Sequence, residues 1–167
     1  MIIIGEIFSF IAALALGYST FSNNKKNMMF WQILDSMLNA LANVFLYAYS
    51  GVVVCVMTAL RNVLVAYDKF QKWMLWIFVI FSALLGLVFN NTGLIGILPI
   101  IASIGYTICL YIFNDTQKIR LVLIGNLSLW AVYDYTIMSY PMFVMDIIII
   151  FMSVLNYIRF RNVKSEE

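Results

Sequence analysis

The sequence predicts an all-α integral membrane protein: seven transmembrane helices in a 3+1+3 parallel-repeat bundle, N-terminus outside and C-terminus cytoplasmic. Three observations predict it. Of 167 residues, 64% are hydrophobic and 11% charged, where a soluble domain has about 45–50% and about 25%. A short chain cannot bury that much apolar surface, so lipid must be its solvent. The apolar residues fall into runs of roughly 20, the length that crosses a hydrocarbon core about 30 Å thick. The basic residues, finally, sort onto alternate breaks between those runs.

The first run, Ile2–Phe21, begins in MIIIGEIFSF, which lacks the basic n-region of a secretory signal and carries Glu6 instead. It is therefore expected to stay in the mature protein. SNNKKN ends it. The second, Met28–Tyr49, carries amides and an acid and stops at Ser50-Gly51. The third, Gly51–Tyr67, contains Arg61 and ends at DKFQK. The fourth, Lys72–Phe89, is nearly free of polar groups and ends at NNTG. Gly93–Phe113, Ile119–Ile137 and Pro141–Phe160 follow, separated by NDTQKIR and SYP. The breaks hold the Asn, Asp, Gly and Pro that turns require. Strands of a membrane barrel would be about 10 residues long with strict alternation, which these runs lack.

Charge supports the count. Lys25, Lys26, Lys69, Lys72, Lys118, Arg120, Arg159, Arg161 and Lys164 all fall on one side of a seven-span arrangement, leaving Arg61 as the tenth basic residue. The positive-inside rule makes that side cytoplasmic. Six spans would scramble the sorting. Seven spans with opposite-facing ends form one membrane domain that divides into a first repeat (1–70), a linker helix (71–91), a second repeat (92–162) and a tail (163–167). Parallel repeats of this kind are a transporter plan. At an offset of 91, Asp35, Asn39 and Asn43 fall on Asn126, Trp130 and Asp134; at 90, Lys69 falls on Arg159.

Polar residues inside the spans share faces. Gln32, Ser36, Asn39 and Asn43 line one side of the second helix, with Asp35 at its border, because residues three, four and seven apart stack on a helix. The sixth places Asn126, Trp130 and Tyr133 together beside Asp134. The seventh aligns Asp146, Ser153 and Tyr157, flanked by Asn156, and the fifth offers Ser103 and Thr107. A single Ser or Thr is adequately explained as helix–helix glue, worth roughly 0.6–2 kcal/mol; a five-member face reads as a lining. Trp31, Trp73, Tyr49, Tyr111 and Tyr140 sit near helix ends, where aromatics gather at membrane interfaces. Trp130 is mid-helix, where a ring either packs or stacks on a ligand.

Arg61 lies ten residues into its span, about 15 Å deep at 1.5 Å per residue. A cation there costs at least about 2.5–3.5 kcal/mol, so it should face the bundle interior and have a partner. By depth, Asp35 is the first choice, Asp134 the second and Asp146 the third. Two readings stand: an ion pair that fixes helix register, or a cation lining a solute site.

The chain has no histidine, which removes imidazole-based triads and zinc sites. It has no Gly-x-Ser-x-Gly or His-Glu-x-x-His. No enzyme activity, cofactor or metal is expected. Cys55 and Cys109 fall within apolar runs and read as packing residues, and a net charge of +2 is too small to suggest nucleic acid.

Three stretches resemble the YgjV-type family of small bacterial inner-membrane proteins: ALRNVL around Arg61, LLGLVFNNTGLIGILPII leading to Pro99, and MFVMDIIIIFMSVLNYIRF with Asp146. That resemblance implies seven helices and an inner-membrane address. More distantly the chain resembles SWEET-type and PnuC-type 3+1+3 transporters. Their sites use an asparagine on the third helix of each half, and a tryptophan four residues after a small polar residue on the second. Asn62, Asn156, Asn126 and Trp130 match those types and places. Asn39 stands where a first-half tryptophan belongs, and only Pro99 lies inside a helix, so Gly17, Gly105 or Gly125 would supply flexibility. The expected function is thus transport or facilitated passage of a small polar solute, with a non-transporting scaffold or accessory subunit as the alternative. Candidate solute-binding residues are Asn39, Arg61, Asn62, Asn126, Trp130 and Asn156. Candidate pathway or ion-pair residues are Gln32, Asp35, Asn43, Asp134 and Asp146. The expected partners are the lipid bilayer and that solute; homo-oligomerisation is left open.

Overall fold

The computed structural model describes residues 2–22, 24–113 and 115–163, with the side chains of these except residues 2, 116, 156 and 158–163. Among them there are seven α-helices and no strand: α1 (Ile2–Phe21), α2 (Lys25–Phe45), α3 (Tyr49–Ala66), α4 (Lys72–Val88), α5 (Ile97–Ile112), α6 (Thr116–Thr136) and α7 (Tyr140–Val163). A short 3₁₀ turn, Gly93–Gly96, leads into α5.

Every predicted run is a helix, and its ends move for local reasons. α2 starts at Lys25, not Met28, because the Asn24 side chain accepts from the Lys26 N–H at 2.9 Å and caps the first turn. Asp115 caps α6 in the same way, accepting from the Gln117 N–H at 3.1 Å. α2, α3 and α6 end alike. Tyr47, Asp68 and Met138 adopt left-handed backbone, at φ 56°, 53° and 62°. The N–H of Ala48, Lys69 and Ser139 then closes on the carbonyl of Asn43, Leu64 and Asp134, each at 2.9 Å. This is the Schellman closure, built here without the glycine that usually occupies the left-handed position.

Several helix ends recur at one spacing along the chain. Lys25 and Thr116, Phe45 and Thr136, Tyr49 and Tyr140, and Phe21 and Ile112 mark equivalent helix ends, each pair 91 positions apart. The caps Asn24 and Asp115 and the left-handed residues Tyr47 and Met138 keep the same interval.

Neighbouring helices pack in sequence within 1–2–3 and 5–6–7; α3 meets α5 and α1 meets α7, closing a ring of six. α4 rides outside, chiefly on α3 and α5. Polarity is inverted relative to a soluble protein. Ile7, Phe10 and Leu14 of α1, Trp76, Ile80 and Leu84 of α4, and Val144, Ile148 and Phe151 of α7 are exposed. Gln32, Asp35, Asn39, Arg61, Asn62, Asp134 and Asp146 are buried. An apolar cluster including Leu16, Met28, Val65, Leu110, Ile119 and Leu123 fills the space beside them.

The loops gather at two ends. Lys25 Nζ lies 3.5 Å from the Asp68 carboxylate, Lys26 sits over the Tyr67 ring, and Arg120 donates to the carbonyls of Thr20 and Ser22 at 3.1 Å each. The α1–α2, α3–α4 and α5–α6 connections therefore share one end, together with their basic residues. At the other end Asn91, before α5, donates to the Tyr47 carbonyl and accepts from the Tyr49 N–H. Three helical segments are long and apolar enough to cross a membrane: Ile3–Phe21, Tyr49–Ala66 and Gly93–Ile112. Lys72–Val88 and Tyr140–Leu155 are apolar but shorter. α2 and α6 have the length, at 21 residues each; the polar residues along them lower their hydropathy.

Candidate functional site

Polar side chains on helices with apolar exteriors find partners only by turning inward. Those of α2, α3, α5, α6 and α7 turn toward one cavity of about 50 Å³. Eight of the eleven candidate solute-binding and pathway residues line it: Gln32, Asp35 and Asn39 from α2, Arg61 and Asn62 from α3, Asn126 and Trp130 from α6, and Asp146 from α7. Asn43 and Asp134 are buried but stand outside the lining. Asn43 Nδ2 turns back to the Asn39 carbonyl at 2.8 Å. The side chain of Asn156 lies outside the described residues.

Arg61 corrects the expectation drawn from depth. It is 1% exposed, yet none of Asp35, Asp134 and Asp146 pairs with it; among the described residues no carboxylate lies within salt-bridge reach of its guanidinium. Its acceptors are neutral. Nε and Nη2 converge on Asn62 Oδ1 at 3.1 and 2.9 Å. Nη1 donates to Thr107 Oγ1 at 2.6 Å and weakly to the Ser103 carbonyl at 3.4 Å. The Tyr106 ring lies 5.1 Å from the guanidinium carbon, a cation–π distance. Its depth shifts too. Arg61 is five residues from the Ala66 end of α3, about 7.5 Å along the axis, so it belongs to the end that carries the basic loops and not to the midplane.

Around it a hydrogen-bonded set joins α2, α3 and α5. Gln32 and Tyr106 exchange bonds at 3.1 and 3.2 Å, Asn62 donates to Gln32 Oε1 at 3.4 Å, and Thr58 and Ser103 hydroxyls meet at 3.5 Å. Tyr106 is given no role by the sequence reading, although Ser103, Tyr106 and Thr107 follow the three-and-four spacing of one helical face. Thr58 and Cys55 also reach the cavity.

The acids sit elsewhere in the bundle. Asp35, Asp134 and Asp146 lie within electrostatic reach of one another. One oxygen of Asp35 has no hydrogen-bond partner among the described residues, and the carboxyls of Asp134 and Asp146 face each other within hydrogen-bonding reach, with no other donor among those residues. No group of three or more Asp, Glu, His or Cys among those residues is disposed to hold a metal ion. Tyr133 binds Ser50 at 3.3 Å beneath Gly51, where an added β-carbon would overlap the Asn43 side chain and the Tyr133 hydroxyl. Glycine there leaves room for the Asn43 amide of α2 and the Tyr133 hydroxyl of α6.

Residues 3–164 match the family model Imp-YgjV, a bacterial inner membrane protein. The chain belongs to this family. Membership of Imp-YgjV places it in the bacterial inner membrane, so the exposed apolar faces of α1, α4 and α7 meet lipid. No match was found among curated proteins or among solved structures. The site of this Imp-YgjV protein is therefore read from its own geometry: a small polar cavity inside an apolar shell, with a buried guanidinium on neutral acceptors and buried aspartic acids that, among the described residues, form no ion pair.

Proposed function

We propose that the protein transports, or facilitates passage of, a small polar solute across the inner membrane. Seven helices would cross the bilayer, with the basic loop end cytoplasmic by the positive-inside rule. Two three-helix repeats, 1–70 and 92–162, would be joined by α4. The common 91-residue spacing of helix ends, caps and left-handed turns supports the repeat. So does the lining: Asp35 with Asn126, Asn39 with Trp130, and Cys55 with Asp146 are pairs at that same interval, and all six residues face the cavity. Parallel repeats with a central site are a transporter plan in which one half rocks against the other.

The observation that carries the reading is the polar cavity itself, lined from both proposed halves and holding buried ionisable groups that, among the described residues, no ion pair joins. Intramembrane ionisable groups are expensive and are generally kept for function. One observation favours the alternative of a non-transporting scaffold. A cavity of about 50 Å³ is far below the roughly 300–1,000 Å³ of a ligand pocket, so passage of a solute requires the halves to separate. Proteoliposomes holding the purified protein, screened for uptake of sugars, nucleosides, vitamins and amino acids, decide between them. Saturable uptake that Arg61→Gln abolishes supports transport; no uptake of any class, by protein whose fold is verified, supports the scaffold.

A further inference from the structure

The cavity is electrically divided. At one side Arg61, 1% exposed, presents a guanidinium whose acceptors are an amide, a hydroxyl and a backbone carbonyl. Nη2 uses one of its two hydrogens, on Asn62, which leaves the other for an incoming oxygen. Asp35, 8% exposed, lines the same cavity with one oxygen that has no partner among the described residues, and Asp146, 0% exposed, lines it with the Asp134 carboxyl beside it. Asp35 is ten residues from the Lys25 end of α2, and Arg61 five from the Ala66 end of α3. These ends lie together, so the two α-carbons are offset by about 7.5 Å along the bundle. The side chains close part of that gap. Trp130 and Asn126 stand beside them.

A buried cation without an anion, and buried acids without a basic partner, are each unfavourable alone. One solute with both charges relieves both. We infer that the solute is a small zwitterion, whose carboxylate meets Arg61 and whose ammonium meets Asp35 and Asp146. This rests on the transport proposal and deepens it. An ammonium suits the acids better than a metal ion, since they are not arranged to hold one. A free anion would satisfy Arg61 but add charge beside the acids; a free cation would leave Arg61 unrelieved. The tight cavity limits the solute to a small one, admitted when the halves part.

The test uses isosteric probes on the purified full-length protein: alanine (both charges), lactate (anion only), alaninamide (cation only) and lactamide (neutral). Binding is read as a concentration-dependent rise in unfolding temperature. Alanine is expected to bind at least tenfold more tightly than the other three. Arg61→Gln should erase the preference for alanine over alaninamide, and Asp35→Asn the preference over lactate, whereas residues that merely support the fold would weaken all probes equally. Equal binding of lactamide and alanine, or no binding of alanine, overturns the inference. Proteoliposome uptake separates the two levels. If a sugar is taken up and alanine does not compete, the zwitterion is wrong and transport stands; if no solute moves, both fall.

Discussion

Arg61→Met should leave the protein folded while removing transport, and the magnitudes say why. The substitution loses the interhelical bond to Thr107 and the weak one to Ser103, together about 1–2 kcal/mol at the strength of bonds between membrane helices. Asn62 Oδ1 accepts only from Arg61; stranding it costs about 1–3 kcal/mol. Against these stands the removal of a guanidinium from an apolar interior, worth about 2.5–3.5 kcal/mol on insertion scales. Thr107 keeps its bond to the Ser103 carbonyl at 2.6 Å, and Asn62 keeps Gln32. The sum lies within about 2–3 kcal/mol of zero, small beside the roughly 5–15 kcal/mol that holds a typical domain. Reversible unfolding of the purified variant in detergent measures the stability, and proteoliposome uptake measures the activity. A loss above about 4 kcal/mol, or a variant that does not fold, would mean that Arg61 is a keystone of the α3–α5 contact and not part of a solute site.

Gly51→Ala should destabilise by about 1–3 kcal/mol, because its β-carbon overlaps Asn43 and Tyr133; Gly125→Ala, with open space around it, should be neutral or favourable. Equal unfolding temperatures for the two would refute the crowding of Gly51 by the Asn43 and Tyr133 side chains. Arg120→Ala removes the donor to the Thr20 and Ser22 carbonyls and should cost about 1–3 kcal/mol, with Arg120→Lys between it and the native protein; a neutral Arg120→Ala would deny the clamp on α1. In a protein with Cys55 and Cys109 replaced, a membrane-impermeant maleimide applied outside should label Asn91→Cys but reach Lys69→Cys and Lys118→Cys only after lysis. Labelling of all three from one side contradicts the seven-span arrangement.

The helices were legible because lipid leaves the backbone one solution for each apolar run, and the run ends coincide with Asn, Asp and Gly punctuation. The inward faces were legible for the same reason: Gln32, Ser36, Asn39 and Asn43 had nowhere else to go. The matches of Asp35, Asn39 and Asn43 with Asn126, Trp130 and Asp134 already carried the interval that the caps and left-handed turns share, though Tyr47 and Met138 give no hint of it by residue type. Arg61's surroundings were not legible. Depth along a helix ranks partners by height, whereas contact also depends on azimuth around the bundle. The sequence does not say that α3 faces α5, so Thr107 and Tyr106 could not be chosen over Asp35. Arg120 reads as a loop charge and is instead buried against the end of α1, because a cation at a helix C-terminus satisfies carbonyls that the helix cannot.

The neutrality of Arg61's partners bears on the mechanism. Under the proposed division the α2–α5 and α3–α5 bonds all cross between repeats: Gln32 with Tyr106, Thr58 with Ser103, and Arg61 with Thr107 and Ser103. At roughly 0.6 kcal/mol each, the measured average for such bonds, these five (Gln32 and Tyr106 share two) oppose separation on this side of the bundle by about 3 kcal/mol. An aspartate in place of Thr107 would raise that penalty sharply, because breaking a buried ion pair costs about 3–5 kcal/mol, and the halves would stay shut. Hydroxyl and carbonyl acceptors can be exchanged instead for a solute carboxylate, a stronger acceptor for a guanidinium, so binding itself would offset the penalty of opening. Thr107→Asp tests this. It should raise the unfolding temperature or leave it unchanged while slowing uptake at least tenfold, and uptake at the native rate would refute the exchange.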